Sequence, residues 1–94
     1  MSDAFGVECT PHGFASVIGT AAAVQLAASH ATNPSSPGSK SLPMEWTPSP
    51  LDRFGNLALN PLRCQDGKVV VPLEKPGLGV EIDRNALKAL IASD

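Results

Sequence analysis

A histidine next to a glycine is the first residue of this sequence with a chemistry to consider. His12 lies in Pro11-His12-Gly13, between a predicted strand over Phe5 to Cys9 and a predicted helix. Folds that alternate strands and helices expose catalytic side chains at strand ends, and imidazole transfers protons near neutral pH. Taken alone, however, the spacing favours an ordinary surface or hydrogen-bonded loop histidine. The other histidine, His30, is expected to interact with a helix C-terminus.

An acid within a short apolar island is the second candidate. Glu45 stands between Met44 and Trp46. If the island is a buried strand, the carboxylate must be paired, protonated or placed at a strand end that faces a site. An outward-facing edge residue is the simpler interpretation from the local sequence. Linear spacing links neither candidate to a partner.

Other reactive patterns are weaker. Gly77-Leu78-Gly79 lacks the third glycine, the following helix and the Lys-Ser/Thr pair of phosphate-binding loops. Cys9 and Cys64 follow no metal-binding spacing, so they are predicted to be buried, reduced thiols of a cytoplasmic protein. The two histidines have no partners nearby in the sequence that would make a metal motif.

Composition excludes several classes of function. The chain has 94 residues, and its formal net charge of −2 with scattered basic residues argues against nucleic-acid binding. The longest apolar stretch, Phe14 to Ala28, is shorter than the roughly 20 residues of a membrane span. No basic region precedes it, as a secretory signal would require. A complete (β/α)₈ barrel, at about 250 residues, does not fit.

The predicted elements would position the candidates as follows. Phe14 to Ser29 is alanine-rich and apolar on nearly every face, which predicts a buried helix. Residues 31–43 are rich in proline and serine and are expected to form a loop. At most one helical turn is expected over 51–59.

The C-terminal third has clearer local signals. Asp66-Gly67, flanked by Leu62 to Gln65 and Lys68 to Val71, predicts a β-hairpin. An extended segment with one buried face should follow over Leu78 to Ile82. Asp83 is a plausible N-cap for a last helix, with nearby Glu74 and Glu81 on the solvated side.

Longer phrases resemble a known family. The sequence VVVPLEKPGLGVEID, over 69–83, closely resembles the carboxy-terminal sequence of the mandelate racemase/muconate lactonizing enzyme branch of the enolase superfamily. Pro11-His12-Gly13 and the alanine-rich helix look like the segment after that family's seventh barrel strand. Met44-Glu45-Trp46 is similar to its eighth-strand acidic segment. The resemblance extends from about Phe5 to Leu90.

The resemblance implies a mechanism. Family members abstract the proton α to a carboxylate, and Mg²⁺ stabilises the enediolate before racemisation or dehydration of hydroxy and sugar acids. His12 matches the strand-seven histidine that acts as base or acid. Glu45 matches the strand-eight acid that contacts the substrate carboxylate and the enediolate. Both would lie at the carboxyl ends of barrel strands.

The resemblance also predicts an incomplete domain. The chain has no counterpart of the family's metal-ligating acids, strand-two lysine, histidine-partnering aspartate or capping domain. We therefore expect an α/β fold that is the C-terminal fragment of a TIM-type barrel. In this division, residues 1–30 form the end of strand seven and its helix, residues 31–43 form a loop, and residues 44–94 form the end of strand eight, the hairpin and the terminal helix. This predicts part of a lyase or isomerase, inactive alone.

Several alternatives stay open from the sequence. The chain is either a segment of such an enzyme, a non-catalytic partner that completes a split barrel, or a truncated gene remnant. A complementing chain or an oligomer would supply the missing parts. Neither the acid substrate nor the choice between racemase and dehydratase can be read from these residues.

Overall fold

Two α-helices and one small sheet make up the regular structure. A computed structural model describes residues 1–7, 9–13, 16–31, 43–46 and 57–92. After a short 3-10 helix, Ser2–Phe5, come α1 (Val17–Ala31), β1 (Cys64–Gln65), β2 (Lys68–Val69) and α2 (Arg84–Ala92). Most of the predicted loop over 31–43, part of the predicted turn over 51–59, and Phe14 lie outside the described residues.

The first helix buries one face only. Ser16 caps it, accepting the Gly19 N–H at 3.5 Å on its side-chain oxygen. Its buried side chains recur every three or four residues, as one helical stripe requires, and they form the core together with Leu57: Val17, Ala21, Val24 and Ala27. Ile18 and Leu26 are each 50% exposed. The prediction of a helix buried all round is therefore wrong, because the described part of the chain covers a single side.

The predicted hairpin is confirmed, with shorter strands. Cys64 pairs with Val69 and Gln65 with Lys68 in an antiparallel ladder. Asp66 and Gly67 have φ of 52° and 71°, the two positive values that a type I′ turn requires. The Asp-Gly pair therefore determines the turn, and the register follows from its two-residue loop.

The last helix begins where the sequence predicts. The carboxylate oxygen Oδ1 of Asp83 accepts the N–H groups of Asn85 at 2.8 Å and Ala86 at 3.3 Å. Two otherwise unpaired donors of the first turn are satisfied in this way. No side chain of α2 is buried. The helix thus presents the apolar stripe of Leu87, Leu90 and Ile91 largely to solvent.

An asparagine completes the segment before α2. Asn60 donates from Nδ2 to the Gly79 carbonyl at 2.8 Å, and its Oδ1 accepts the Glu81 N–H at 2.7 Å. Backbone bonds extend this pairing, since Leu59 N–H donates to Glu81 O at 2.9 Å and Asp83 N–H to Leu57 O at 2.7 Å. The predicted extended segment over Leu78 to Ile82 is only partly confirmed, because Leu78 lies in a turn and Gly79 has a φ of 75°, whereas Ile82 pairs with Ala58 in an antiparallel bridge. The segment 79–83 is thereby held against residues 57–60. Nothing in the local sequence identified Asn60 as its partner.

The predicted amino-terminal strand and the predicted burial of the two cysteines are both wrong. Phe5 belongs to the 3-10 helix, and neither Val7 nor Cys9 is in a strand. A strand needs a neighbour for its backbone N–H and C=O groups, and none of the described residues forms a strand ladder with this segment. Cys9 and Cys64 are exposed free thiols rather than buried ones. The two-stranded hairpin leaves Cys64 uncovered.

The length of α1 can be compared with the thickness of a bilayer. At 15 residues, α1 is about 22 Å long, against roughly 30 Å of bilayer hydrocarbon. Within the described residues, no helix has the length and apolar character to cross a membrane.

Candidate functional site

The two residues singled out from the sequence come together. The imidazole nitrogen Nδ1 of His12 lies 2.8 Å from the carboxylate oxygen Oε2 of Glu45. Both side chains face solvent, with 75% and 58% of their surface exposed. The structure thus joins the segments 9–13 and 43–46, which lie on opposite sides of α1 in the sequence.

A backbone donor shares the same oxygen. The N–H of Gly13 donates to Glu45 Oε2 at 2.8 Å. In the opposite direction, the Glu45 N–H donates to the Pro11 carbonyl at 3.5 Å, a long hydrogen bond. The carboxylate is therefore held by two donors from consecutive residues, and the backbones of the two segments run close together.

Gly13 is buried and has no room for a side chain. A Cβ at this position would overlap the Glu45 carbonyl oxygen and lie 2.6 Å from both the carbonyl carbon and the Cβ of Glu45. Real Cβ atoms do not approach backbone atoms so closely. Glycine is thus the residue that permits this approach. The sequence pointed to His12 and Glu45 but not to Gly13, although a glycine directly after the histidine was visible.

The exposure of the pair determines what it can do. Even when both groups are charged, a solvent-exposed pair contributes only about 0–1 kcal/mol to stability, because water screens the charges. The same exposure lets a small molecule reach both side chains. A histidine and a carboxylate in hydrogen-bond contact can orient an imidazole and move a proton. The arrangement therefore suits proton transfer better than it suits stabilisation of the fold.

Comparison with known protein families, curated proteins and solved structures shows which proteins this chain is related to. A family model described as enolase C-terminal domain-like matches residues 1–86. The chain belongs to this enolase C-terminal domain-like family. The match includes His12, Glu45 and all of the characteristic phrase at 69–83. No curated protein and no solved structure matches the chain.

Membership in the enolase C-terminal domain-like family confirms part of the resemblance. The assignment to the enolase superfamily is confirmed. The mandelate racemase or sugar-acid dehydratase subtype stays a prediction, as do the barrel origin of the fold and the roles of His12 and Glu45. A cytoplasmic location also stays a prediction.

The magnesium site of the superfamily needs ligands. Superfamily members generally bind Mg²⁺, which prefers several oxygen ligands in near-octahedral geometry. Among residues 1–7, 9–13, 16–31, 43–46 and 57–92, no three His, Cys, Asp or Glu side chains come together as a metal site would require. Beside Glu45 lie a histidine nitrogen and a backbone N–H, and neither provides the oxygen ligands that Mg²⁺ prefers. The described residues therefore do not fit a magnesium site.

Proposed function

We propose that this chain contributes the C-terminal part of the active site of an enzyme that abstracts the α-proton of a hydroxy or sugar acid. The reaction would be that of a mandelate racemase-like racemase or a sugar-acid dehydratase. The observation that carries the proposal is the 2.8 Å contact between His12 Nδ1 and Glu45 Oε2. Family membership over residues 1–86 supports it.

His12 would act as the base. A neutral imidazole that donates from Nδ1 carries its lone pair on Nε2. In the proposed step the Cα–H bond breaks, the proton moves to Nε2, and the bonding electron pair enters the carboxylate to give an enediolate. In racemisation, an acid supplied by the remaining barrel protonates Cα from the opposite face, and His12 returns its proton to water. In dehydration, the electron pair of the enediolate forms the Cα–Cβ double bond, and the β-hydroxyl leaves as water with the proton that His12 took up.

Glu45 would contact the substrate through its second carboxylate oxygen. Both donors described above use Oε2, which leaves Oε1 for the substrate carboxylate. Because two carboxylates repel each other, this contact would need a proton or a hydrogen-bond donor between Oε1 and the substrate carboxylate. Charge stabilisation of this kind counts most where it develops in the transition state.

Exposed apolar surfaces support a chain that packs against a further part of an enzyme. Leu87 and Leu90 of α2 are 40% and 38% exposed, and Ile91 is 69% exposed. On α1, Ile18 and Leu26 face solvent as well. Large apolar side chains grouped on helices usually mark interaction surfaces. In the proposal these helices contact the remaining barrel, which would also supply the Mg²⁺ ligands.

A complementation experiment tests the proposed function. A mandelate racemase-like enzyme truncated before its seventh barrel strand is combined with this chain, either as a fusion or as a second polypeptide. The readout is loss of the α-proton NMR signal of mandelate or gluconate in deuterium oxide with Mg²⁺. We expect exchange with the combination and none with either part alone. A complex that forms on size exclusion but exchanges neither acid would contradict the proposal.

The alternatives give different outcomes in the same assay. A non-catalytic partner that only completes the barrel would restore exchange equally well with His12 substituted. A gene remnant would form no complex with the truncated enzyme. Sequencing upstream of the gene adds an inexpensive observation, because a reading frame that encodes the missing strands would favour a split enzyme over a remnant.

A further inference from the structure

Two donors from neighbouring residues converge on a single atom. His12 Nδ1 and the Gly13 N–H each lie 2.8 Å from Glu45 Oε2. The Gly13 bond is partly buried, whereas the histidine and glutamate side chains face solvent. A backbone donor does not change rotamer, so it fixes the position of the oxygen that the imidazole then meets. The resulting geometry is a histidine oriented by a carboxylate that the backbone itself holds.

The acceptor at Nδ1 affects which nitrogen carries the proton. Neutral imidazole has two tautomers, with the proton on Nδ1 or on Nε2. A carboxylate oxygen beside Nδ1 can only accept, so it favours the Nδ1–H form. A base that takes a proton at Nε2 needs this tautomer, because only then does Nε2 carry a lone pair.

We propose that Glu45 is a positioning residue that holds His12 in the Nδ1–H tautomer, and that Gly13 is the residue whose missing Cβ makes this possible. This role uses Oε2 and is separate from the substrate contact proposed for Oε1. This positioning role rests on the proposed function in one respect only, namely that Nε2 is the atom that accepts the proton from the substrate. The chain thus carries its own partner for the histidine.

Gly13 acts through Glu45 in this account. An added Cβ would meet the Glu45 backbone, so Gly13→Ala must push the segment at 43–46 away. The structure assigns no positive φ to Gly13, and the substitution therefore tests the close approach rather than backbone strain. Its effect on His12 should consequently vanish once the Glu45 carboxylate has been removed.

Nitrogen NMR of the full chain tests the proposal. Long-range ¹H–¹⁵N correlation at about pH 8.5, where histidines are ordinarily neutral, identifies the protonated ring nitrogen. We expect His12 to be mainly Nδ1–H in the unmodified chain and to have a clearly lower Nδ1–H fraction in Glu45→Ala. Glu81→Ala is the matched control, because Glu81 is also 58% exposed and pairs with Lys75 rather than histidine.

The glycine is tested by comparing single and double variants. We expect Gly13→Ala to lower the Nδ1–H fraction, and Gly13→Ala/Glu45→Ala to match Glu45→Ala alone. A helical circular dichroism signal at the unmodified level verifies folding, and if Gly13→Ala does not fold, the exposed Glu45→Ala decides alone. A mainly Nε2–H His12 in the unmodified chain, or a tautomer unaffected by Glu45→Ala, would overturn the proposal.

The tautomer of His12 can be measured in the chain without any enzymatic turnover. A complemented enzyme without proton exchange, together with an Nδ1–H His12, would refute the proposed function and leave the positioning role intact. Exchange that persists with an Nε2–H His12 would refute the positioning role and the use of Nε2 as the base, while the contribution of the chain to proton exchange would stand. The two proposals can therefore fail separately.

Discussion

Replacing His12 with alanine lowers the α-proton exchange rate of the complemented enzyme by about 10²–10⁴-fold, the usual contribution of a positioned general base. The loss should appear in kcat, because alanine removes the atom that receives the proton while the rest of the site still binds substrate. The measurement is the exchange rate of mandelate or gluconate in deuterium oxide at saturating acid.

The second histidine provides the control for this effect. His30 lies in α1 rather than in the segment at 9–13. His30→Ala should keep the exchange rate within about twofold, since alanine is the best helix former and the substitution leaves the pair with Glu45 in place. Equal exchange rates for the unmodified chain and His12→Ala would instead favour a chain that completes the barrel without taking part in the chemistry.

Replacing Gly79 with alanine strongly destabilises the C-terminal part. Gly79 has φ of 75°, and an added Cβ would lie 2.6 Å from Pro72 Cγ. A left-handed conformation costs an alanine about 1–2 kcal/mol, and overpacking adds about 1–3 kcal/mol. A combined loss of roughly 2–5 kcal/mol is large beside the total stability of a small domain. Urea unfolding followed by circular dichroism measures it.

Gly77 is the matched position for this test. It has φ of 64°, and a Cβ there would meet nothing within 4 Å. Gly77→Ala therefore carries the backbone cost without the contact with Pro72, and its unfolding midpoint should fall less than that of Gly79→Ala. Equal midpoints for the two variants would show that the approach of Gly79 to Pro72 does not contribute to the fold.

Local chemistry accounts for the parts of the fold that the sequence predicted well. The hairpin turn depends on two consecutive residues that tolerate positive φ, and Asp66-Gly67 supplies them. The start of α2 depends on one carboxylate, that of Asp83. Each of these features lies within a few residues of its cause, which makes it visible in a linear sequence.

Features that depend on distant partners were predicted poorly. The expected strand over Phe5 to Cys9 presupposed a neighbouring strand, and the described residues provide none. The burial of α1 all round and of the two cysteines likewise presupposed surrounding structure. Asn60 is a feature that the sequence did not predict at all, because its two hydrogen bonds to the segment 79–81 join positions about 20 residues apart.

The candidate site was predicted as two residues but not as a pair. Resemblance to a family selected His12 and Glu45, while the long proline- and serine-rich stretch between α1 and Glu45 concealed their contact. Gly13, bonded to Glu45 across 32 positions, was not selected at all. The visible signal was a glycine directly after a candidate base, since glycine allows another backbone to approach closely.

In the proposed reaction, His12 takes a proton from the α-carbon of a bound acid, with Glu45 beside it. A crystal structure of the complemented enzyme tests it most directly, with an analogue of the best exchanged acid in which methyl replaces the α-hydrogen. We expect His12 Nε2 to lie about 3–3.5 Å from that methyl carbon, and a Glu45 oxygen to lie within hydrogen-bond distance of the ligand carboxylate. A ligand bound with neither side chain in contact would contradict it.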